Sequence, residues 1–201
     1  MTKQQYETLF LEMHPNYFER DYVRAIPEDE PASEMILYLQ DFDENCYEKD
    51  FNGFDQREFS NKGRYEKSFD ESVTFGYYDG DLEELKAAVE KVVSHWTQFF
   101  HENSRVYCGF VGGKVASFCL IEDFGEHDMD GHMQKIGGPG CVGTLPEYRN
   151  RGLGLTMVRD VTKILREEGY DYSYIHYTYE TGWYAKLGYQ TFLSWSGKGF
   201  V

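Results

Sequence analysis

From Gly137 to Gly154 the chain reads Gly-Gly-Pro-Gly-Cys-Val-Gly-Thr-Leu-Pro-Glu-Tyr-Arg-Asn-Arg-Gly-Leu-Gly, and no other stretch constrains its fold as much. The run has the form of a bulged strand, a short turn and the opening of a helix. Directly after it, Leu155, Val158, Val161 and Leu165 recur at helical spacing, with Met157 and Ile164 beside them. Arg149, Gly152 and Gly154 thus form an Arg-x-x-Gly-x-Gly signature at a helix mouth. The first N–H groups of a helix have no partner inside it. Glycines carry no Cβ, so a ligand can approach their main chain closely. With the positive end of the helix dipole and the guanidinium groups of Arg149 and Arg151, the loop reads as an anion site suited to a pyrophosphate.

A second motif lies downstream, Trp183-Tyr184-Ala185-Lys186-Leu187-Gly188-Tyr189, beyond a helix running to Gly169 and an apolar strand over Tyr172–Tyr177. Together the two motifs resemble those of the GNAT superfamily of N-acyltransferases, which move an acyl group from coenzyme A to an amine. The match is close over residues 105–193 and a matter of pattern before that. The resemblance implies a mixed α/β fold with a single central, mostly antiparallel sheet, splayed central strands and flanking helices. It also implies acetyl-CoA as cosubstrate. Val142, Gly143 and Thr144 would bond the pantetheine, and Arg149, Asn150, Arg151, Gly152, Leu153, Gly154 and Leu155 would hold the pyrophosphate. Tyr184 stands where the family donates a proton to the departing thiolate.

The general base is less legible. The family often uses a glutamate on or near the central strand, and none lies between Met133 and Thr144. Glu122 is the leading candidate, with Asp123 and His176 as alternatives; each also fits a purely structural role. Tyr177 and Thr178 stand where the family often has an asparagine, which affects one pantetheine contact. Cys141 reads as a buried strand thiol rather than a nucleophile.

Charge divides the chain. Residues 1–104 carry 10 Lys+Arg against 24 Asp+Glu, or −14, while residues 105–201 carry 10 against 11, or −1. The near-neutral half suits a polyanionic cosubstrate. The acidic half disfavours nucleic acid, whose affinity rests on phosphate neutralisation, and suits a cationic small-molecule or peptide amine. Solubility alone accounts for the acidity equally well.

The remaining chain reads as one domain over 1–201. Helix spacing predicts a helix over Gln4–Met13, ended by Pro15; alternation predicts a first strand over Tyr17–Ile26, then a helix to about Asp41. Residues 42–78 mix many aromatic rings with acidic residues and read as an ordered excursion on the acceptor side. Asp81 and Glu84 resemble a capping box for a long helix to about Glu102. Arg105–Val111 and Lys114–Asp123 form a hairpin about Gly112-Gly113, Gly125–Gly131 a loop, and Met133–Thr144 the central strand.

Other chemistries are weakly supported. Gly152-x-Gly154 lacks the third glycine of a dinucleotide loop, and no P-loop lysine is present. Glu126, Asp128, Asp130 and Gly131 mimic the start of a calcium loop, but Gly137 stands where its closing glutamate belongs. His127 and His132 are too few for zinc, so no metal is expected. Cys46, Cys108, Cys119 and Cys141 lack CxxC spacing and read as reduced thiols of a cytoplasmic protein. Without an apolar run of about 20 residues or a basic leader, no membrane partner is expected; a monomer or homodimer is. The expectation is an N-acetyltransferase acting on a primary amine by direct transfer through a ternary complex. The alternative is a non-catalytic acyl-CoA sensor of the same fold.

Overall fold

The computed structural model describes residues 1–44 and 72–201. Five α-helices lie among them: α1 (Lys3–Met13), α2 (Asp21–Arg24), α3 (Leu82–Glu90), α4 (Leu153–Glu167) and α5 (Thr181–Tyr184). The strands are β1 (Ala32–Tyr38), β2 (Val73–Tyr77), β3 (Val106–Val111), β4 (Lys114–Asp128), β5 (Met133–Thr144), β6 (Tyr172–Thr178), β7 (Gln190–Ser196) and β8 (Gly199–Phe200). They form one open sheet in the order β2-β3-β4-β5-β6-β1-β7-β8. The β5–β6 pair is parallel; β1–β6, β1–β7, β2–β3, β3–β4 and β7–β8 are antiparallel. This is the mixed α/β architecture with one mostly antiparallel sheet that the motifs imply.

The chain divides into two compact units, one of Met1–Asp43, Asp123–Gly138 and Ile164–Val201, the other of Glu44–Glu122 and Pro139–Lys163. In the first, α1 is opened by Thr2, whose hydroxyl accepts from the Gln5 N–H while the Gln5 side chain accepts from the Thr2 N–H. Both donors are orphans of the helix start, and the reciprocal pair satisfies them. Leu9 then packs with Met129, Ile136 and Tyr174, and Phe10 with Tyr17, Val23, Ile26, Leu193 and Trp195. In the second unit, α3 lays Leu85, Ala88 and Val89 on Val106, Cys108, Phe118 and Leu120. Asp81 caps α3, accepting from the N–H groups of Glu83 and Glu84.

The hairpin about Gly112 and Gly113 forms as expected, with φ of 57° and 78° at the two glycines. Tyr107 faces Cys119 and Cys108 faces Phe118, so the two cysteines are diagonal neighbours and remain thiols. Cys46 and most of the 42–78 excursion lie outside the described residues; Val73–Tyr77 at its end is strand β2.

Four expectations are corrected. Tyr17–Ile26 is no strand: Tyr17–Glu19 is a 3-10 turn and Asp21–Arg24 a helix, so Tyr17, Val23 and Ile26 bury themselves from successive turns. The first strand is instead Ala32–Tyr38, where a helix was expected. Its Ala, Glu, Met and Leu favour helix locally, but pairing on both edges and burial of Met35 and Leu37 override that propensity. The helix from Leu82 stops at Glu90, because Val93 is extended (φ −148°), and residues Ser94–Phe99 continue as a 3-10 turn. Finally, β4 runs on to Asp128, reducing the expected loop to a tight turn through Asp130 (φ 61°) and Gly131 (φ 84°).

Gly138 sits where β5 meets β6: a Cβ there would fall 1.8 Å from the Tyr174 carbonyl oxygen. Backbone cannot yield as a side-chain tip can. Gly138→Ala is expected to cost more than about 2 kcal/mol, lowering Tm by more than about 4 °C in a chain of this size, read by calorimetry. Asp81→Ala leaves two helix-start donors without their acceptor and is expected to cost about 1 kcal/mol in the same measurement.

Candidate active site

The glycine-rich loop after β5 is built as a row of outward amides. Pro146–Tyr148 make a 3-10 turn, and the exposed Arg149 is extended. Asn150 (φ 61°) and Gly152 (φ 79°) both adopt the left-handed conformation. Alternating left- and right-handed residues turn successive N–H groups to one side, the geometry of an anion nest. Helix α4 follows at once, and the Thr156 N–H bonds to the Gly152 carbonyl at 3.0 Å. The amides of Leu153, Gly154 and Leu155 precede the first closed turn and have no acceptor within the helix. The Arg149 Nε donates to the Thr144 carbonyl at 3.0 Å, tying the loop back to the strand end. Leu153, Leu155, Met157, Val158, Val161 and Leu165 are buried, so one face of α4 anchors the loop. These features fit a coenzyme A diphosphate: backbone donors, a helix N-terminus and two arginines, with no carboxylate in the loop between Arg149 and Leu155.

Just upstream, Cys141 has φ 48° inside β5, a left-handed residue where the glycine run predicts a bulge. The Phe118 ring lies so close to Gly143 that a Cβ there would meet it at 2.4 Å. The carboxylate of Glu122, the leading base candidate, lies over Gly140; a Cβ on that glycine would come 1.8 Å from its Oε2. Burial first, then the Glu122 charge, pushes the Cys141 thiol up to about 12. It therefore stays protonated near neutrality, which agrees with a passive strand thiol. Asp123 is exposed and its Oδ1 accepts the Gly125 N–H at 2.9 Å, a turn role.

In the other unit, Tyr184 ends α5, buried, with Trp183 edge-on at 4.8 Å and Tyr189 at 6.0 Å. The Tyr189 hydroxyl meets Ser173 Oγ at 2.6 Å. Gly188 (φ 92°) closes the motif as a left-handed cap, which explains the glycine of the second signature.

The same unit contains a buried polar cluster that the sequence did not reveal. Glu34, fully buried in β1, accepts at Oε1 from Trp195 Nε1 (2.6 Å) and the Tyr177 N–H (3.2 Å). At Oε2 it accepts from the Tyr174 hydroxyl and meets His176 Nδ1 at 3.1 Å. His14 Nε2 reaches the Tyr174 hydroxyl at 3.1 Å, and its ring stacks on His176 at 4.0 Å. Burial, followed by the His176 charge, holds His14 down at about 3, so His14 is neutral at working pH. A hydroxyl that donates to Glu34 must accept from His14, which puts the His14 proton on Nε2. The available signal was a single Glu entering the apolar run Met35-Ile36-Leu37, since a charge in such a run needs buried partners.

Among the described residues, no group of three or more His, Cys, Asp or Glu side chains could hold a metal. Nor is any helix among them long and apolar enough to cross a membrane.

Residues 74–192 match a family model described as an acetyltransferase (GNAT) domain. An uncharacterized N-acetyltransferase of Chlorobaculum tepidum is 26% identical over 118 residues, 59% of this chain and 65% of its own length. The chain thus spans about two thirds of that relative. Among solved structures, a GCN5-related glucosamine N-acetyltransferase region of a fungal multi-domain GH3 β-N-acetylglucosaminidase superposes with a TM-score of 0.59 at 19% identity, covering 82% of this chain and 20% of that one. A GCN5-related N-acetyltransferase of Sphaerobacter thermophilus gives 0.51 at 14% identity, covering 80% and 48%. The structural likenesses speak for the fold, and the family match, spanning more than half the sequence, decides the rest: this chain belongs to the GNAT acetyltransferase family.

Proposed function

We propose that the protein is an N-acetyltransferase that moves an acetyl group from acetyl-CoA to a primary amine, directly and within a ternary complex. The observation that carries this reading is the row of amides opening α4 beside Arg149 and Arg151. In this reading Gly152 and Gly154 let the diphosphate reach the main chain, and Val142, Gly143 and Thr144 offer strand-edge groups to the pantetheine arm. Tyr184 supplies a proton to the leaving sulfur, its phenol being a better donor to a thiolate than water is. The acceptor is a cationic small molecule, drawn by the acidity of residues 1–104. A charged amine must lose a proton before it can attack; for a lysine-like amine near pKa 10.4 the neutral form lies about 4–5 kcal/mol uphill at pH 7.

Calorimetric titration with acetyl-CoA, followed by thiol release against a panel of primary amines, tests the reading. Binding in the micromolar range with turnover on at least one cationic amine is expected. Binding without any turnover would instead favour a sensor of the same fold, and no binding would remove the reading. Arg149→Ala is expected to weaken binding about tenfold, from loss of one charge-assisted contact. Gly152→Val, which forces a β-branched residue to φ 79°, is expected to abolish it.

A further inference from the structure

The strands around Glu34 are irregular on both sides. Against β6, Ser33 pairs with Thr178 and Met35 with Ile175, so His176 and Tyr177 together oppose Glu34. Against β7, Glu34 pairs with Leu193 and Met35 with Thr191, so Phe192 is the extra residue there. Tyr177 takes φ 53°, a left-handed conformation that strains a non-glycine residue. The strain places its N–H on Glu34 Oε1 and leaves His176 on the face of Tyr174, so both reach Oε2. Bulges re-aim side chains in this way beside functional sites.

The cluster is closed everywhere except at one ring. Glu34, Tyr174 and Trp195 are fully buried and His14 nearly so, while the His176 side chain is 24% exposed. Glu34 is a carboxylate acceptor to three other donors, the Tyr174 hydroxyl, the Tyr177 N–H and Trp195 Nε1, and has no proton to give, so the His176 proton on that side lies on Nδ1. Nε2 then carries the lone pair. An imidazole held by a carboxylate through one nitrogen, on a side chain that still reaches solvent, is the arrangement of a proton acceptor.

Resting on the acetyltransferase reading, we propose that His176 is the catalytic proton acceptor for the incoming ammonium and that Glu34 is its positioning residue. His176 Nε2 takes one proton from the ammonium, and Glu34 stabilises the resulting imidazolium. The neutral amine forms the C–N bond to the acetyl carbon as the C–S bond breaks. Tyr184 protonates the sulfur and regains a proton from the nitrogen through solvent, and His176 finally releases its own, so one proton leaves per turnover. The titratable and charged groups set against His176 are Glu34 from β1, Tyr174 and Tyr177 from β6, His14 from the end of α1, and Tyr17 from the turn that follows. His14, held down at about 3 by burial and then by the His176 charge, is neutral near pH 7.

The test uses the full chain with acetyl-CoA and the best amine of the panel. For His176→Gln, thiol release is expected to fall about 100-fold or more with loss of the rising limb of the kcat/KM pH profile, while the acetyl-CoA Kd stays within about twofold. For Glu34→Gln, whose packing could suffer, 15N-histidine spectra of the folded fraction supply a second readout. Wild-type His176 is expected as the Nδ1–H tautomer, and as a mixture of tautomers in the variant, where an amide can donate as well as accept. A His176→Gln protein that keeps the limb, or an Nε2–H tautomer in the wild type, overturns the proposal and leaves acetyl transfer standing. Loss of the limb in Glu122→Gln but not in His176→Gln also overturns it. A wild-type protein that binds no acetyl-CoA removes both readings together.

Discussion

The carboxylate of Glu34 is the constraint on which much of this molecule turns. An unpaired buried carboxylate would be prohibitively expensive, and here it is met by donors from three positions of β6 and one of β7. Removing one member of such a set strands the others, at a cost of about 3–5 kcal/mol where a buried charge loses its partner. The carboxylate therefore fixes the register of β1 between its two neighbours and dictates the bulges on either side. It also explains why a tyrosine tolerates φ 53° in a strand. His14, bonded to Tyr174 and stacked on His176, carries the same network into the segment after α1.

The other organising feature is mainly backbone. The loop from Arg149 to Gly152 spends two left-handed residues, Asn150 and Gly152, to bring amides into line with the start of α4. The apolar face of α4, from Leu153 to Leu165, holds that start in place. Charge agrees with this division of labour. The half of the sequence that carries the loop is nearly neutral, and the other half is strongly acidic. A diphosphate bound by main chain and helix dipole would need few specific side chains.

Legibility in the sequence followed sequence distance. The hairpin at Gly112-Gly113, strand Met133–Thr144, helix α4 and the loop before it rest on contacts between near neighbours, and all were readable. The cap of α1 was equally local, Thr2 with Gln5, and was there to be found. By contrast, Ala32–Tyr38 is a strand only because β6 and β7 flank it, and their paired residues lie from 134 (Tyr38 to Tyr172) to 163 (Ala32 to Trp195) positions away. Local propensity pointed to helix and long-range pairing won. Glu34 was hidden for the same reason, since its partners Tyr174, His176, Tyr177 and Trp195 are 140, 142, 143 and 161 residues downstream. Of the candidate bases, Asp123 turned out to cap a turn, Glu122 to cover Gly140, and His176 to hold the buried carboxylate.

The claim that the main chain at the head of α4 receives the coenzyme is open to one direct measurement. Backbone amide spectra of the full chain, recorded as coenzyme A is added, report on each N–H separately. The account predicts that the signals of Gly152, Leu153, Gly154 and Leu155 move downfield together and saturate with a single affinity. If those four stay in place while amides elsewhere shift, the diphosphate binds at another site and the account is wrong.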